Sequence, residues 1–396
     1  MKWSPEVITE MKDLLASGMN SVEVAEELSA STGAIFTASA VRNAALYYRT
    51  DDEHEEDSSV RNLIEKRRSQ NITRNLRRDI TKLIDTRLKT EDVIESVREA
   101  ASVISKTKPV VIKSTHTASG VHMTAELLFS DLQIGKIMPN YNTEIAKKRI
   151  RAYTEAALFK IKQHQKSGYI FDKIILAIIG DIIESDKKHP NSGRACDSST
   201  AEQLSNAQQA IFLDVIEPLA RLGIPMDVIM VTGNHDHDGH GLSMFEPGKN
   251  HLSYPMFHAI KSFIEFRGYD HVKSFIPIGC FHVHQIYGHN VLYEHGVGVS
   301  ASEASMKGRR QARTQQIRKM ITYMRQGDKH CITRFNEDTL VVNGAFFGSD
   351  TEGTEYSGIS GYESDAGQIM FFHVPRNDDR RLTIYDSFVI QLAHIL

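Results

Sequence analysis

Long apolar runs, a cysteine framework and an excess of charge of either sign are all missing from this 396-residue sequence. No stretch approaches the roughly 20 apolar residues that a membrane-spanning helix needs. Trp3-Ser4-Pro5-Glu6 follows Met1-Lys2 with no apolar segment between, so neither membrane insertion nor export is expected. The three cysteines, Cys196, Cys280 and Cys331, are odd in number, widely spaced and form no CxxC pair. That usage excludes a disulfide scaffold and suits the reducing cytoplasm. A formal net charge of -3 with 24% charged residues excludes a polycation along the whole chain, so contact with a polyanion must come from local Lys and Arg clusters. No internal repeat or low-complexity tract interrupts the chain, whose length suits two folded units and a connector.

What the sequence does contain begins with strong helix punctuation. Ser4-Pro5-Glu6 combines a serine N-cap, a proline at the first helical position and an early carboxylate, and Gly18 stands where that helix should stop. Asn20 and Glu23 form a second capping pair ahead of Val22, Val24, Ala25 and Leu28. A third helix follows Thr37, with Val41, Ala44, Ala45 and Tyr48 at helical spacing, after a connection over residues 29–36 that is longer than a tight turn. Three short helices within residues 1–50, the last bearing Arg42, Asn43 and Arg49, resemble a Myb-like or helix-turn-helix module. The resemblance implies DNA contact through those three side chains; a dimerising helical bundle would carry the same pattern. Residues 51–120 read as a charged helical linker, with an acidic run over 51–57 and then a basic stretch including Lys66, Arg67, Arg68, Arg77 and Arg78. Apolar residues recur in it at three- and four-residue steps, as on an amphipathic helix that packs on a partner or on a second copy in a homodimer.

From about residue 121 short apolar runs alternate with helical stretches. Buried strands are predicted over 125–130, 173–179 and 226–232, and helices over 143–165 and 201–222. This alternation implies an α/β core with its site in the loops at the C-terminal ends of the strands. Those loops hold Asp131-Leu132-Gln133, Gly180-Asp181 and Gly233-Asn234-His235-Asp236. Glycine beside each group lets backbone turn sharply, and carboxylate and amide oxygens suit hard divalent cations.

The ordered set, continued by Glu294-His295-Gly296 and Gly327-Asp328-Lys329-His330, resembles the calcineurin-like metallophosphoesterase superfamily over roughly residues 121 to 390. The resemblance implies a two-sheet sandwich flanked by helices over residues 121–396 and a pair of divalent cations. It places Asp131, Gln133, Asp181 and His330 on one cation and Asp181, Asn234, His295 and Asp328 on the other, with Asp181 between them. His235 is implied as general acid or transition-state stabiliser, its ring oriented by Asp236 or by a backbone carbonyl. Two cations ~3.5–4 Å apart lower the pKa of a water between them and clamp the phosphoryl oxygens for in-line attack. Gln133 and Asp328 stand where the family usually has histidine, so the site is richer in oxygen, and manganese, with magnesium next, is expected over zinc.

His189 and His237 lie in loops that can reach a substrate phosphate, although His237, with His240, also suits a polar loop over the site. His282 and His284 share one strand face, which an exposed sheet surface explains as well as a further metal. Between the last two motifs, Lys307-Gly308-Arg309-Arg310-Gln311-Ala312-Arg313 is strongly basic. Arg309 and Arg310 are its candidates for binding a polyanionic backbone. Together these features lead to a DNA nuclease, similar in core to the break-repair exonuclease branch and in architecture to proteins of bacteriophages and mobile elements. The alternatives are a phosphatase or phosphodiesterase of small nucleotides and metabolites, and a DNA-binding scaffold with an inactive metal site.

Overall fold

A computed structural model describes residues 3–48, 66–68, 70–75, 94–99, 101–106, 120–186, 196–237, 247–348, 356–378 and 381–396, together with Arg77 and Lys188. The chain divides into two compact units, Met1–Arg87 and Leu88–Leu396. In the first, helices α1 (Pro5–Ala16), α2 (Ser21–Thr32) and α3 (Ala38–Tyr47) start where their caps predict: the Ser4, Asn20 and Thr37 side chains each accept from the first helical turn. Met11, Val24, Leu28 and Val41 are fully buried between the helices, and Trp3 closes one side edge-on to Phe36, ring centroids 4.9 Å apart. The connection between α2 and α3 is shorter than expected. Ser29 and Thr32 return their hydroxyls to the Ala25 and Leu28 carbonyls, so α2 runs through them to a left-handed Gly33. Arg42 and Asn43 are exposed on α3, whereas Arg49, the acidic run and much of the basic linker lie outside the described residues.

The second unit holds two sheets. In the first, β1 (Val121–Phe129), β2 (Tyr169–Ile179), β3 (Met226–Val231) and β4 (Val272–Phe275) are parallel. β10 (Gly367–His373) runs antiparallel to β1, and β11 (Ile384–Gln391) closes that edge, giving the order β11-β10-β1-β2-β3-β4. In the second, β6 (His289–Glu294), β7 (Tyr323–Gln326) and β9 (Leu340–Val342) are parallel. β5 (Phe281–Ile286) and β8 (Thr333–Phe335) are its antiparallel edges, in the order β5-β6-β7-β9-β8.

The apolar runs of β1 to β3 are continuous because both faces of this sheet are covered. Leu127, Ile174, Leu176 and Ile178 face one way, toward α4 (Thr143–Lys166) and the helical stretch that begins as α5 (Thr200–Gln209). Leu128, Ile175, Ala177 and Ile179 face the other way, onto Val291, Tyr293, Tyr323 and Val341 of the second sheet. Each large apolar side chain among them contributes about 1.5–3 kcal/mol by leaving water. α5 continues through a π-helical segment, Ala210–Ile216, into α6 (Glu217–Ala220), so the single helix expected over 201–222 is interrupted by a register change. α7 (Ser253–Phe266) supplies Met256, Phe257 and Ile260 to the helix-side core. α8 (Glu303–Ile317) covers the outer face of the second sheet through Met306.

A buried ionic group ties the two sheets together. Arg325 of β7 donates to both carboxylate oxygens of Glu126 in β1 at 3.0–3.2 Å, and Tyr293 and His373 reach the same carboxylate at 2.7 and 3.0 Å. Burial alone would raise the Glu126 carboxyl, but Arg325 and His373 outweigh it and hold it down at about 2.

Candidate metal centre

Five strands, β1, β2, β3, β6 and β7, release their chains on one side of the sandwich, and each release carries one motif. The first three loops are hydrogen-bonded to one another: Asp131 N–H to Gly180 O at 3.1 Å, Gln133 N–H to Asp181 O at 3.0 Å, and His235 N–H to the Asp181 carboxylate at 2.8 Å. The second sheet joins them where Gly327 N–H meets His295 O at 2.9 Å and Asp328 N–H meets the Asp131 carboxylate at 3.1 Å. Glycines make this closeness possible. A Cβ on Gly180 would lie 2.7 Å from Gly233 Cα and from His295 Nδ1, while one on Gly233 would overlap the Asp181 backbone nitrogen and carboxylate, and one on Gly327 the Asp131 carboxylate.

Asp131, Asp181 and His295, all buried, present ligand atoms within 4.8 Å of one another. His295 Nε2 stands 3.0 Å from Asp181 Oδ2 and 3.8 Å from Asp328 Oδ1; its Nδ1 faces the Ile179 carbonyl at 2.8 Å. Because a carbonyl only accepts, Nδ1 carries the proton and Nε2 is the nitrogen available to a cation. His330 Nε2 lies 3.6 Å from Asp131 Oδ1 and 3.3 Å from the Gln133 amide nitrogen, which is itself 3.5 Å from Asp181 Oδ2. Asn234 enters the same group through its neighbour His235 and by lining a cavity with His295. The side chains of six expected ligands therefore lie together, and Asn234 adjoins them on the third loop.

Two observations favour a cation on these donors. Asp131 Oδ2, Gln133 Oε1 and Asn234 Oδ1 are buried without a hydrogen-bond partner among the described residues, a costly arrangement unless another group completes it. Five of the seven residues, Asp131, Gln133, Asp181, Asp328 and His330, have φ between 42° and 68°, the left-handed region that side chains rarely adopt. Such backbone costs about 1–3 kcal/mol per residue and persists where surroundings over-determine it, commonly at functional sites. Electrostatics agree. Burial pushes the Asp131 carboxyl up to about 6 against the pull of His295 and His330. Burial acts in the same sense on Asp181, but His295 and His235 hold its carboxyl well below the usual range. His295 is driven far above its ordinary value by Asp181, against the effect of burial. Carboxylates crowded with protonated imidazole exchange those protons for a divalent cation.

Of the two orienting partners expected for His235, the backbone carbonyl is the one present: Nδ1 faces Glu184 O at 3.0 Å, with the Glu184 carboxylate 3.5 Å away. Asp236 instead braces the loops, its carboxylate accepting from Gly233 N–H at 2.7 Å and Ile182 N–H at 2.8 Å, and burial with the neighbouring Asp181 charge pushes it up to about 6. His237 packs against His251, ring centroids 5.2 Å apart. His189 and His240 lie outside the described residues. His284 pairs with Asp227 at 2.9 Å and meets the Phe275 ring edge-on, while His282 lies tilted against the same ring with its Nε2 buried and without a hydrogen-bond partner among the described residues.

The basic segment is helix α8, and its arginines turn inward rather than out to a polyanion. Arg309 and Arg313 approach Glu294, and Arg310 donates to the Thr322 carbonyl at 2.9 Å. Sequence reasoning passed over two lysines. Lys188 donates to Asn234 O at 2.7 Å, and Lys329 lies 2.7 Å from Asp328 Oδ2. Lys188 follows Lys187 in the acidic loop after Asp181, and that paired positive charge was the available signal.

Fold and site together define a two-sheet α/β domain with a buried, metal-competent donor cluster at its strand ends. No family model and no curated protein matches the sequence. Solved structures similar to it include an archaeal phosphodiesterase, at 10% identity and TM-score 0.28 over 67% of this chain and 99% of that one. Vacuolar protein sorting 29 from Cryptosporidium parvum is similar at 12% identity and TM-score 0.30, over 67% and 98%. A Streptococcus pneumoniae protein described as a predicted phosphoesterase matches at 12% and 0.24, over 67% and 98%. At such scores the likeness assigns neither activity nor ligand to this chain. No helix among the described residues is long and apolar enough to cross a membrane.

Proposed function

We propose that residues 121–396 form a two-metal-dependent phosphodiesterase acting on DNA, with the N-terminal three-helix unit as its DNA reader. The observation that carries the reading is the convergence of buried donors, three with an unpartnered oxygen, at five strand ends. Asp131, Gln133, Asp181 and His330 would hold one cation and Asp181, Asn234, His295 and Asp328 the other. When bound, such a pair supplies a water ionised at neutral pH and positive charge for the phosphoryl oxygens. Five of the seven side chains offer oxygen, which favours manganese or magnesium over zinc.

The chain's own groups do the rest. His235 donates a hydrogen bond from Nδ1–H to the Glu184 carbonyl, 3.0 Å away, so Nε2 is the nitrogen that exchanges a proton with a leaving oxygen. Lys188, held on the Asn234 carbonyl at 2.7 Å, brings a cationic group beside the position a phosphodiester anion takes. Asp236 keeps the Gly180 and Gly233 loops in register through its two short backbone contacts. On the first unit, Arg42 and Asn43 project from α3 into solvent, as base- or phosphate-contacting side chains must.

A manganese-dependent digestion panel of linear duplex, single strands, a chromogenic phosphodiester and a phosphomonoester tests the reading. His235→Ala should keep manganese while turnover falls about 10²–10⁴-fold, and Asp181→Asn should lose both. Turnover at the parent rate in either variant would overturn the assignment, and DNA binding indifferent to metal with no cleavage would favour an inert scaffold.

A further inference from the structure

Beside the metal centre lies a cavity of about 470 Å³, within the size range of ligand pockets, lined by Asn234, Phe281, Glu294, His295, Arg309 and Arg313 among others. Its chemistry differs from that of the cation cluster. Glu294 ends β6 immediately before His295 and is only 3% exposed. One of its oxygens, Oε2, accepts twice from Arg313, at 3.0 and 2.9 Å. The other, Oε1, is 3.5 Å from Arg309 Nε yet makes no hydrogen bond among the described residues. Arg313 lies over the Phe281 ring at 4.1 Å, so a guanidinium and an aromatic plane share one wall.

This arrangement excludes two simpler ligands. Two guanidiniums more than balance the one Glu294 charge, so the cavity makes no demand for a further cation. A phosphodiester would answer the positive surplus but carries no proton to offer the unpartnered Glu294 Oε1. What is left unused is one acceptor atom, flat stacking surface and the Nη1 group of Arg309, whose Nη2 donates to the Val297 carbonyl at 3.4 Å. That set matches a neutral planar ring that offers an N–H donor beside an acceptor, as the edge of a nucleobase does. The cavity also touches Asn234 and His295, so a nucleotide whose phosphate occupies the proposed cation site can place its base here.

We propose that this cavity is a nucleobase subsite, in which Glu294 Oε1 accepts from an exocyclic amino group and Arg309, Arg313 and Phe281 supply stacking and a donor. The inference rests on the phosphodiesterase reading for what brings a nucleotide to the site. Guanine, cytosine and adenine present such an amino group. Thymine does not, and its one N3–H is flanked by two carbonyls that would face the carboxylate. A buried acceptor left unpaired by the wrong base costs selectivity of about tenfold or more.

The test is equilibrium binding to the full chain, with manganese, of dGMP, dCMP, dTMP and inorganic phosphate by titration calorimetry. dGMP and dCMP should bind about tenfold tighter than dTMP and phosphate, and Glu294→Gln, which can turn an N–H₂ toward the ligand, should bring the nucleotides within about threefold of one another. Phe281→Leu provides a second readout that leaves the ion pairs in place: it should weaken all nucleotides by about tenfold without changing their order, since stacking is indifferent to base identity. Equal affinities for dGMP, dCMP and dTMP in the parent chain, or an intact preference in Glu294→Gln, would overturn the subsite. A base preference without hydrolysis of bis(p-nitrophenyl) phosphate would sink the phosphodiesterase reading and leave the subsite standing; hydrolysis without preference would do the reverse. Short oligonucleotides ending in C or T separate the two sources of the base. A preference that persists in them supports a strand end as its origin, and one confined to mononucleotides supports a free nucleotide.

Discussion

Glu126 lies in the middle of β1 with no solvent exposure, and its replacement by glutamine should be costly out of proportion to the one atom changed. The substitution leaves the Arg325 guanidinium, also 0% exposed, facing a neutral amide in place of the carboxylate whose two oxygens accept from its Nε and Nη2. Removing one partner of a buried ion pair costs about 3–5 kcal/mol, because the remaining charge is stranded away from water. At a urea m-value of about 3 kcal/mol/M, the unfolding midpoint should drop by about 1–1.7 M. Far-ultraviolet circular dichroism is the proper probe, since the single tryptophan, Trp3, belongs to the other unit.

The pH dependence has a definite sign. Folding lowers the Glu126 carboxyl from 4.5 to about 2, so its contribution is present above the higher value and disappears as pH falls through the lower one. The parent should lose stability steeply across that interval, and Glu126→Gln should lose less. Pairing Glu126→Met with Arg325→Met should recover much of the loss, because two apolar side chains leave nothing stranded. A Glu126→Gln stability within about 0.5 kcal/mol of the parent, the range of an ordinary surface change, would refute the reasoning.

Gly233→Ala places a methyl group against the Asp181 carboxylate, and manganese affinity by titration calorimetry should fall about 10–100-fold, the usual scale for disturbing a ligand's support. Asn20→Ala removes both bonds that the Asn20 side chain accepts, from Val22 N–H and Glu23 N–H, and should cost about 1 kcal/mol, read from Trp3 fluorescence in a urea titration. A thiol reagent at neutral pH should modify Cys280, which is exposed, well before Cys196, whose thiol burial pushes up to about 12, or Cys331, which is buried; peptide mapping after brief labelling checks the order.

The helices of the first unit were legible because their signals are local: Ser4, Asn20, Glu23 and Thr37 act on backbone within three residues of themselves. The ends of β1, β2 and β3 were legible for a related reason. Strands buried on both faces read as unbroken apolar runs, and a run that stops at Asp131, Gly180-Asp181 or Gly233-Asn234 marks its own loop. What could not be read depends on partners far away in sequence. Glu126 and Arg325 are 199 positions apart, and nothing near either one announces the other. The inward turn of Arg309 and Arg313 is set by Glu294, on a strand whose neighbours only the fold decides. Nor does composition reveal the π-helical register change at Ala210–Ile216, which alters hydrogen bonding without altering the apolar pattern.

The candidate ligands are drawn from both halves of the sandwich: Asp131, Gln133, Asp181 and Asn234 follow strands of the first sheet, His295, Asp328 and His330 follow strands of the second. Anything coordinated by both sets acts as a rivet across the seam, and by thermodynamic reciprocity its affinity and the adhesion of the halves are one free energy seen from two sides. Chelation should then speed amide hydrogen exchange along β6 and β7 more than along the middle of β2.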